Sequence, residues 1–189
     1  RLKMLHPTIP LHVVVEEVCA SGCYYTAAAA DKIHVDKASI IGSIGVVSDG
    51  FGFDKAIEKL GIERRLTTAG SNKAMNDPFS PRDPQQQAIH QSLLDEIHQQ
   101  FIAVVKQGRG SRLKADAEVF SGRVWLGSSS IALGLADDLG SVSSVAREQI
   151  QAEELVDFTP SDGFGDFFAK RLGVSFAGGI RALFDTRLF

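Results

Sequence analysis

The sequence predicts an α/β domain. Short β-branched runs recur at residues 11–15 and 33–35, and stretches of alanine-rich or helical periodicity lie between such runs. Glycines and prolines mark the changes from one to the other. Strands alternating with helices imply a sheet with substantially parallel pairing. A chain of 189 residues can bury a core without metal or disulfide staples. Hydrophobic residues make up 44% and charged residues 23%, which excludes a disordered tail. Lys plus Arg number 20 against 23 Asp plus Glu, so no basic excess points to nucleic acid.

The elements follow in order. Residues 11–15 form a buried strand after Pro10, and the alanine run up to Ala30 favours a helix that begins near Ser21-Gly22. Residues 33–35 are a second strand. Residues 40–47 are apolar but broken by Gly42, Ser43 and Gly45, as suits a buried strand or a turn where backbones approach closely. Residues 53–60 read as an amphipathic helix closed by Gly61, and 62–68 as a strand. Residues 69–84 hold three prolines and no periodicity, a loop of functional length. Asp83 as N-cap and Pro84 at the first position open the clearest helix, with Gly108 placed past its end. Ile89, Leu93, Leu94, Ile97, Phe101, Val104 and Val105 form its apolar stripe. Further on, 114–120 reads as a short helix, 123–126 as a strand, 128–135 as a helix, 136–140 as a turn and 144–153 as a helix. From Asp162 the chain becomes rich in Phe and Gly with interspersed Arg and Lys. That tail suits packing on a partner subunit or on the domain itself, or else a membrane surface.

Cys19 and Cys23 are one pair, which is no disulfide framework, and no second Cys/His pair follows at zinc spacing. They read as small buried apolar side chains. His90 and His98 lie eight residues apart on one helix and read as solvated, so neither metal nor cofactor is expected. No run of about 18 apolar residues spans a bilayer, and no signal peptide opens the chain. Position 1 is Arg, and the text reads as a fragment or a processed product that begins within a domain.

Ser21 is the first candidate for chemistry. It sits where a strand turns into a helix, next to Gly22, where unpaired N–H groups can hold a developing oxyanion. The alternative is a simple N-cap. A nucleophilic serine needs a base. No spacing ties His6, His12, His34, His90 or His98 to Ser21. A lysine serves if it is desolvated enough to be neutral. Lys73, in the loop after residues 62–68, is either that base or a solvated charge.

Ala20-Ser21-Gly22-Cys23-Tyr24-Tyr25, followed by Ala27-Ala28-Ala29-Ala30-Asp31-Lys32-Ile33, resembles the nucleophile segment of the signal peptide peptidase A family, the S49 serine peptidases that include SohB-type proteins. Gly42-Ser43-Ile44-Gly45-Val46, Lys106-Gln107-Gly108-Arg109-Gly110, Ser121-Gly122-Arg123-Val124-Trp125 and Gly134-Leu135-Ala136-Asp137-Asp138-Leu139-Gly140 resemble later motifs in the same order. Lys73 stands 52 residues after Ser21, matching the family's interval. The resemblance runs from Pro10 to Glu153.

This resemblance implies a ClpP/crotonase-like spiral fold, with residues 1–153 as an N-terminally truncated catalytic domain and 154–189 as an extension. It implies Ser21 as nucleophile, Lys73 as general base, the backbone N–H of Gly22 as an oxyanion donor and Ser43 as orienter of the lysine amine. It further implies hydrolysis of signal peptides or other small or unfolded peptides through an acyl-enzyme, a homo-oligomeric ring or dome, and no cofactor. The parent protein would be anchored in the bacterial inner membrane, with the periplasmic face favoured. Three departures stand out. The family's Ser-Pro-Gly-Gly stretch upstream of the nucleophile is absent, Cys23 stands where the family usually has Gly, and no motif maps after Glu153. Readings kept beside this one are a phage capsid-maturation protease of the same family, a crotonase-like acyl-CoA hydratase or isomerase, and a scaffold subunit without catalysis.

Overall fold

Among the described residues, two small three-stranded sheets carry the fold. The structure, a computed structural model, describes residues 8–114, 117–152 and 154–159. In the first sheet β1 (His12–Val15), β3 (Lys32–Val35) and β6 (Asp138–Leu139) all run parallel. In the second, β2 (Val18–Ala20) and β4 (Ile40–Gly42) run parallel and β5 (Val124–Leu126) pairs with β4 antiparallel. Among the described residues the helices are α1 (Gly22–Ala27), α2 (Asp54–Lys59), α3 (Pro84–Arg109), α4 (Gly127–Ala132) and α5 (Val142–Ser144), the last running into a π-helical turn over Val145–Ile150. All of this belongs to one unit ending at Gln151. Ala152 and residues 154–159 belong to a second and contain no helix or strand. The Phe/Gly-rich tail lies outside the described residues.

The expected α/β class with mostly parallel pairing holds, but several elements differ from the sequence reading. One strand over residues 11–15 is joined by a second over Val18–Ala20, because exposed Glu16 and Glu17 interrupt the apolar run and send the chain into the other sheet. Residues 62–68 form no strand. Glu63, Arg64 and Arg65 sit exposed and pair with one another or with Asp77, and no neighbouring strand supplies a ladder. Residues 138–139 were read as part of a turn, yet they complete the first sheet against β3. The helix expected within 114–120 is a short 3₁₀ turn over Ala117–Phe120.

Helix α3 begins as expected: the Asp83 carboxylate accepts from the N–H groups of Gln85 and Gln86 at 2.8 and 3.0 Å. Its end differs. Gly108 lies inside the helix, where a Cβ would collide with the carbonyl of Ala28, and Gly110, at φ +54°, stops it. The glycine therefore lets α3 approach the end of α1 at backbone distance rather than terminating anything. Phe101 and Val105 of the apolar stripe are buried, whereas Leu93 and Ile97 remain about half exposed.

The core gathers Tyr24 of α1 and Ala28 at its C-terminal end with Ile33, Val35, Ile41, Val105, Val119 and Leu135. A polar hub lies against it. Arg109 is fully buried, grips both carboxylate oxygens of Asp137 at 2.8 and 3.0 Å, and donates to the Gly134 carbonyl at 2.8 Å. Arg112 adds bonds to Asp137 and to the carbonyls of Asp31 and Gly108. Asp137 also accepts from the Ile33 N–H at 2.7 Å. Burial raises the affinity of that carboxylate for a proton, but the bonds from Arg109 and Ile33 and the two guanidinium charges outweigh it and hold Asp137 below its usual range.

His12 and His34, each on a strand as expected, meet across β1 and β3 with Nδ1 of His12 and Nε2 of His34 3.1 Å apart. His34 is buried and its Nδ1 finds no partner. Burial first, and the facing His12 second, hold His34 below its ordinary value of 6.5. The unfolded chain therefore binds a proton that the folded chain refuses, and stability falls as pH drops below about 6.5. The denaturation midpoint at pH 5 should lie below that at pH 7.5. The difference should shrink in His34→Asn; an equal difference in that variant would remove His34 as its source.

Candidate active site

Strand β2 delivers the chain into Ser21, and α1 leaves from it. Ser21 takes φ +53° and ψ −119°, a conformation that a residue with a Cβ rarely adopts. Such strain costs roughly 1–3 kcal/mol and persists only where the surroundings over-determine it. Here the Ser21 N–H donates to the Gly42 carbonyl at 2.8 Å, and the Ser21 carbonyl accepts from Tyr25 N–H at 2.9 Å. The Ser21 hydroxyl makes no capping bond to α1. That observation separates the two readings open at sequence level, because an N-cap serine spends its oxygen on the helix and this one does not.

The strand partner β4 ends in a second strained serine. Ser43 has φ +52°, and its N–H donates to the Arg123 carbonyl at 2.8 Å. Gly42, at φ +104°, passes so close to Arg123 and Trp125 that no side chain fits. Gly45 packs its Cα side onto Gly122. These close approaches fold residues 43–47 and the Ser121-Gly122 turn around one cavity of about 670 Å³, a size suited to a peptide segment. Ser21, Gly22 and Ser43 line it together. Tyr25, Val46, Ile97 and Phe101 give it an apolar side, with the Tyr25 and Phe101 rings 5.2 Å apart. Gly22 opens α1, so its N–H has no acceptor within the helix, and the space where a side chain would stand is open.

Tyr24 anchors this corner from below. It is fully buried and donates its hydroxyl proton to the Leu135 carbonyl at 2.7 Å, beside the Arg109 hub. Burial pushes its ionisation well above the ordinary value, so it stays a donor at every working pH.

The structure brings three of the four candidate residues together and leaves out the fourth. Lys73 sits exposed on the turn at 71–76 and is not among the residues lining the Ser21 cavity. The cysteines also depart from the sequence reading. Cys19 and Cys23 form a disulfide, with Cα atoms 5.0 Å apart, that brackets Ser21. Four residues apart in a strand would put them out of reach, but the sharp turn at Ser21 folds them together; the small residues Ala20, Ser21 and Gly22 between them were the available sign. His98, read as solvated, is half buried and holds the Ile44 carbonyl at 3.1 Å, tying α3 to the cavity wall. Tyr25, Ser121 and Gly122 stand in the sequence only as motif residues and Phe101 only in an apolar stripe, since nothing local marks a cavity wall built from four distant segments.

Among the described residues no helix is long and apolar enough to cross a membrane. Comparison with known proteins places the site in context. Protease 4 of Haemophilus influenzae is 31% identical over 159 residues, 84% of this chain and 25% of that protein. The chloroplastic serine protease SPPA of Arabidopsis thaliana is 30% identical over 143 residues, 75% of this chain and 21% of its own. A protein named Na(+)/H(+) antiporter NhaA in Brucella abortus is 46% identical over 136 residues, 72% of this chain but 18% of that protein. The chain thus spans about a quarter or less of the length of these three relatives. The model of peptidase family S49 matches residues 3–156. The chain belongs to peptidase family S49.

Proposed function

We propose that this chain is the catalytic part of a serine endopeptidase that cleaves signal peptides or other unfolded peptides through an acyl-enzyme. The observation that carries the reading is Ser21: a strained strand-to-helix turn, an oxygen not spent on capping, and a cavity shared with Gly22 and Ser43. Ser21 Oγ attacks the scissile carbonyl and the Gly22 N–H stabilises the resulting oxyanion. Lys73, as the neutral amine, takes the serine proton and returns it to the leaving amine, with Ser43 orienting the lysine amine. The family supports this assignment, as does the presence of all four residues in the sequence.

Because Lys73 lies outside the cavity of its own chain, we assign it to the cavity of a neighbouring copy in a homo-oligomer. Exposed Phe51, Phe53, Leu93 and Ile97 offer apolar surface for such a neighbour. The ClpP/crotonase-like spiral is the fold we assign to the whole domain. A place on the periplasmic face of the inner membrane is supported by the Cys19–Cys23 bond, since disulfides persist in oxidising compartments. The position of Lys73 also favours a second reading, a scaffold subunit without catalysis.

Mixing variants of the full-length protein tests these readings. Ser21→Ala and Lys73→Ala should each be inactive on an unfolded peptide. Co-assembled in equal amounts, they should recover about a quarter of wild-type activity, the statistical share of sites that join an intact serine to a neighbour's intact lysine. No recovery would return Lys73 to its own chain. An active Lys73→Ala protein would remove the lysine from the mechanism, and an inactive wild type would leave the scaffold.

A further inference from the structure

The Cys19–Cys23 disulfide closes a five-residue ring with Ser21 at its centre. Cys19 is buried in the middle of β2, where it faces Ile41 of β4. Cys23 is exposed in the first turn of α1. The bond therefore ties the last strand residues before the nucleophile to the first helical residues after it. The buried Tyr24 side chain and the backbone bonds of Ser21 are the other restraints on this turn. Backbone bonds hold Ser21 at either side, but its own hydroxyl does not cap the helix, and the space where a Gly22 side chain would stand is open. A residue at φ +53° relaxes toward ordinary backbone angles unless the chain on both sides of it is held.

We propose that Cys19 and Cys23 are positioning residues for the nucleophile, and that a dithiol reductant lowers activity by releasing the turn. This rests on the peptidase reading for its consequence in catalysis, though not for the local release itself. The chemistry is thiol–disulfide exchange. A thiolate of the dithiol attacks the exposed Cys23 sulfur, the Cys19–Cys23 bond breaks, and Cys19 leaves as a thiolate that takes up a proton. The second thiolate of the reductant then attacks its own sulfur in the mixed disulfide and expels Cys23 as a thiolate, which is protonated in turn. The protein gains two electrons and two protons, and the dithiol becomes a cyclic disulfide. Released, residues 20–23 sample other angles, and Ser21 Oγ and Gly22 N–H no longer face the cavity in one fixed geometry. Misplacement of reacting groups by about 1 Å can lower the rate as much as a hundredfold.

The test uses the full-length protein, oxidised and after dithiothreitol, with thiol alkylation confirming the state. Amide hydrogen exchange and the kinetics of an unfolded peptide are read on both. Reduction should speed exchange in residues 20–25 and leave α3 unchanged. It should lower kcat roughly tenfold with KM nearly constant, and reoxidation should restore it. The variant Cys19→Ala/Cys23→Ala should show the reduced-state kcat and ignore the reductant. Equal exchange in both states overturns the proposal. So does faster exchange throughout α3, which would make the bond a general staple, or faster local exchange with kcat unchanged. Should the oxidised protein show no Ser21-dependent hydrolysis, the peptidase reading fails separately, and exchange in residues 20–25 alone then decides whether the bond holds the turn.

Discussion

Replacing Ser21 by alanine should lower peptide hydrolysis by at least about a thousandfold, since it removes the oxygen that forms the acyl bond. The same change should leave stability nearly untouched. Removing an N-cap hydroxyl ordinarily costs about 1 kcal/mol, but this hydroxyl makes no capping bond, and alanine suffers the same backbone strain as serine. Ser21→Gly sharpens the contrast. It should be equally inactive and more stable by about 1 kcal/mol, because glycine adopts φ +53° without a Cβ penalty. Activity and stability therefore move in opposite directions at one position. Kinetics paired with thermal denaturation of the three proteins check this. A stability loss in Ser21→Ala would restore the capping role and weaken the case for a nucleophile.

Replacing Arg109 by leucine should cost about 3–5 kcal/mol, because it unpairs the buried Gly134 carbonyl and removes the bidentate charge from a partly buried carboxylate, which keeps only Arg112 and the Ile33 N–H. Arg109 is fully buried and supplies both the bidentate pair to Asp137 and the donor to Gly134. For a domain of this size the melting temperature should fall by roughly 10 °C or more. Arg109→Lys should recover only part of that, since an ammonium lacks the planar fork. The pH dependence gives an independent reading. Asp137 is held below its usual range, so its contribution is fully present above the unfolded carboxylate range and is lost as pH falls through its folded value. That acid-labile part should shrink in Arg109→Leu. A variant as stable as wild type at neutral pH would show that Arg109 is not what holds the end of α3 against β3.

The sequence revealed most where chemistry is local. The strand-to-helix junction at Ser21-Gly22, the α3 start at Asp83 and Pro84, and β1, β3 and β5 all follow from neighbouring residue types. Glycines were legible as close approaches, but not what they approach. Gly108 looked like a helix end because glycine usually marks one, whereas its real partner is the Ala28 carbonyl on another element. Residues 62–68 have strand-like ends around a charged centre, and no strand forms there. β6 is two residues long, too short for any periodicity, and exists only because β3 offers it a parallel edge. At the site, Ser21, Gly22 and Ser43 were legible as motif residues and do meet in one cavity. The Cys19–Cys23 bond was not, because it depends on a backbone angle at Ser21 that no composition encodes.

The most direct test of the central claim is to trap the acyl-enzyme. Full-length protein mixed with an unfolded peptide and quenched in acid within one turnover should carry the acyl half of the substrate on the fragment containing Ser21, read by mass spectrometry. The adduct should be absent from Ser21→Ala. Hydrolysis that proceeds without any adduct, and at an undiminished rate in Ser21→Ala, would contradict the account of Ser21 as the nucleophile.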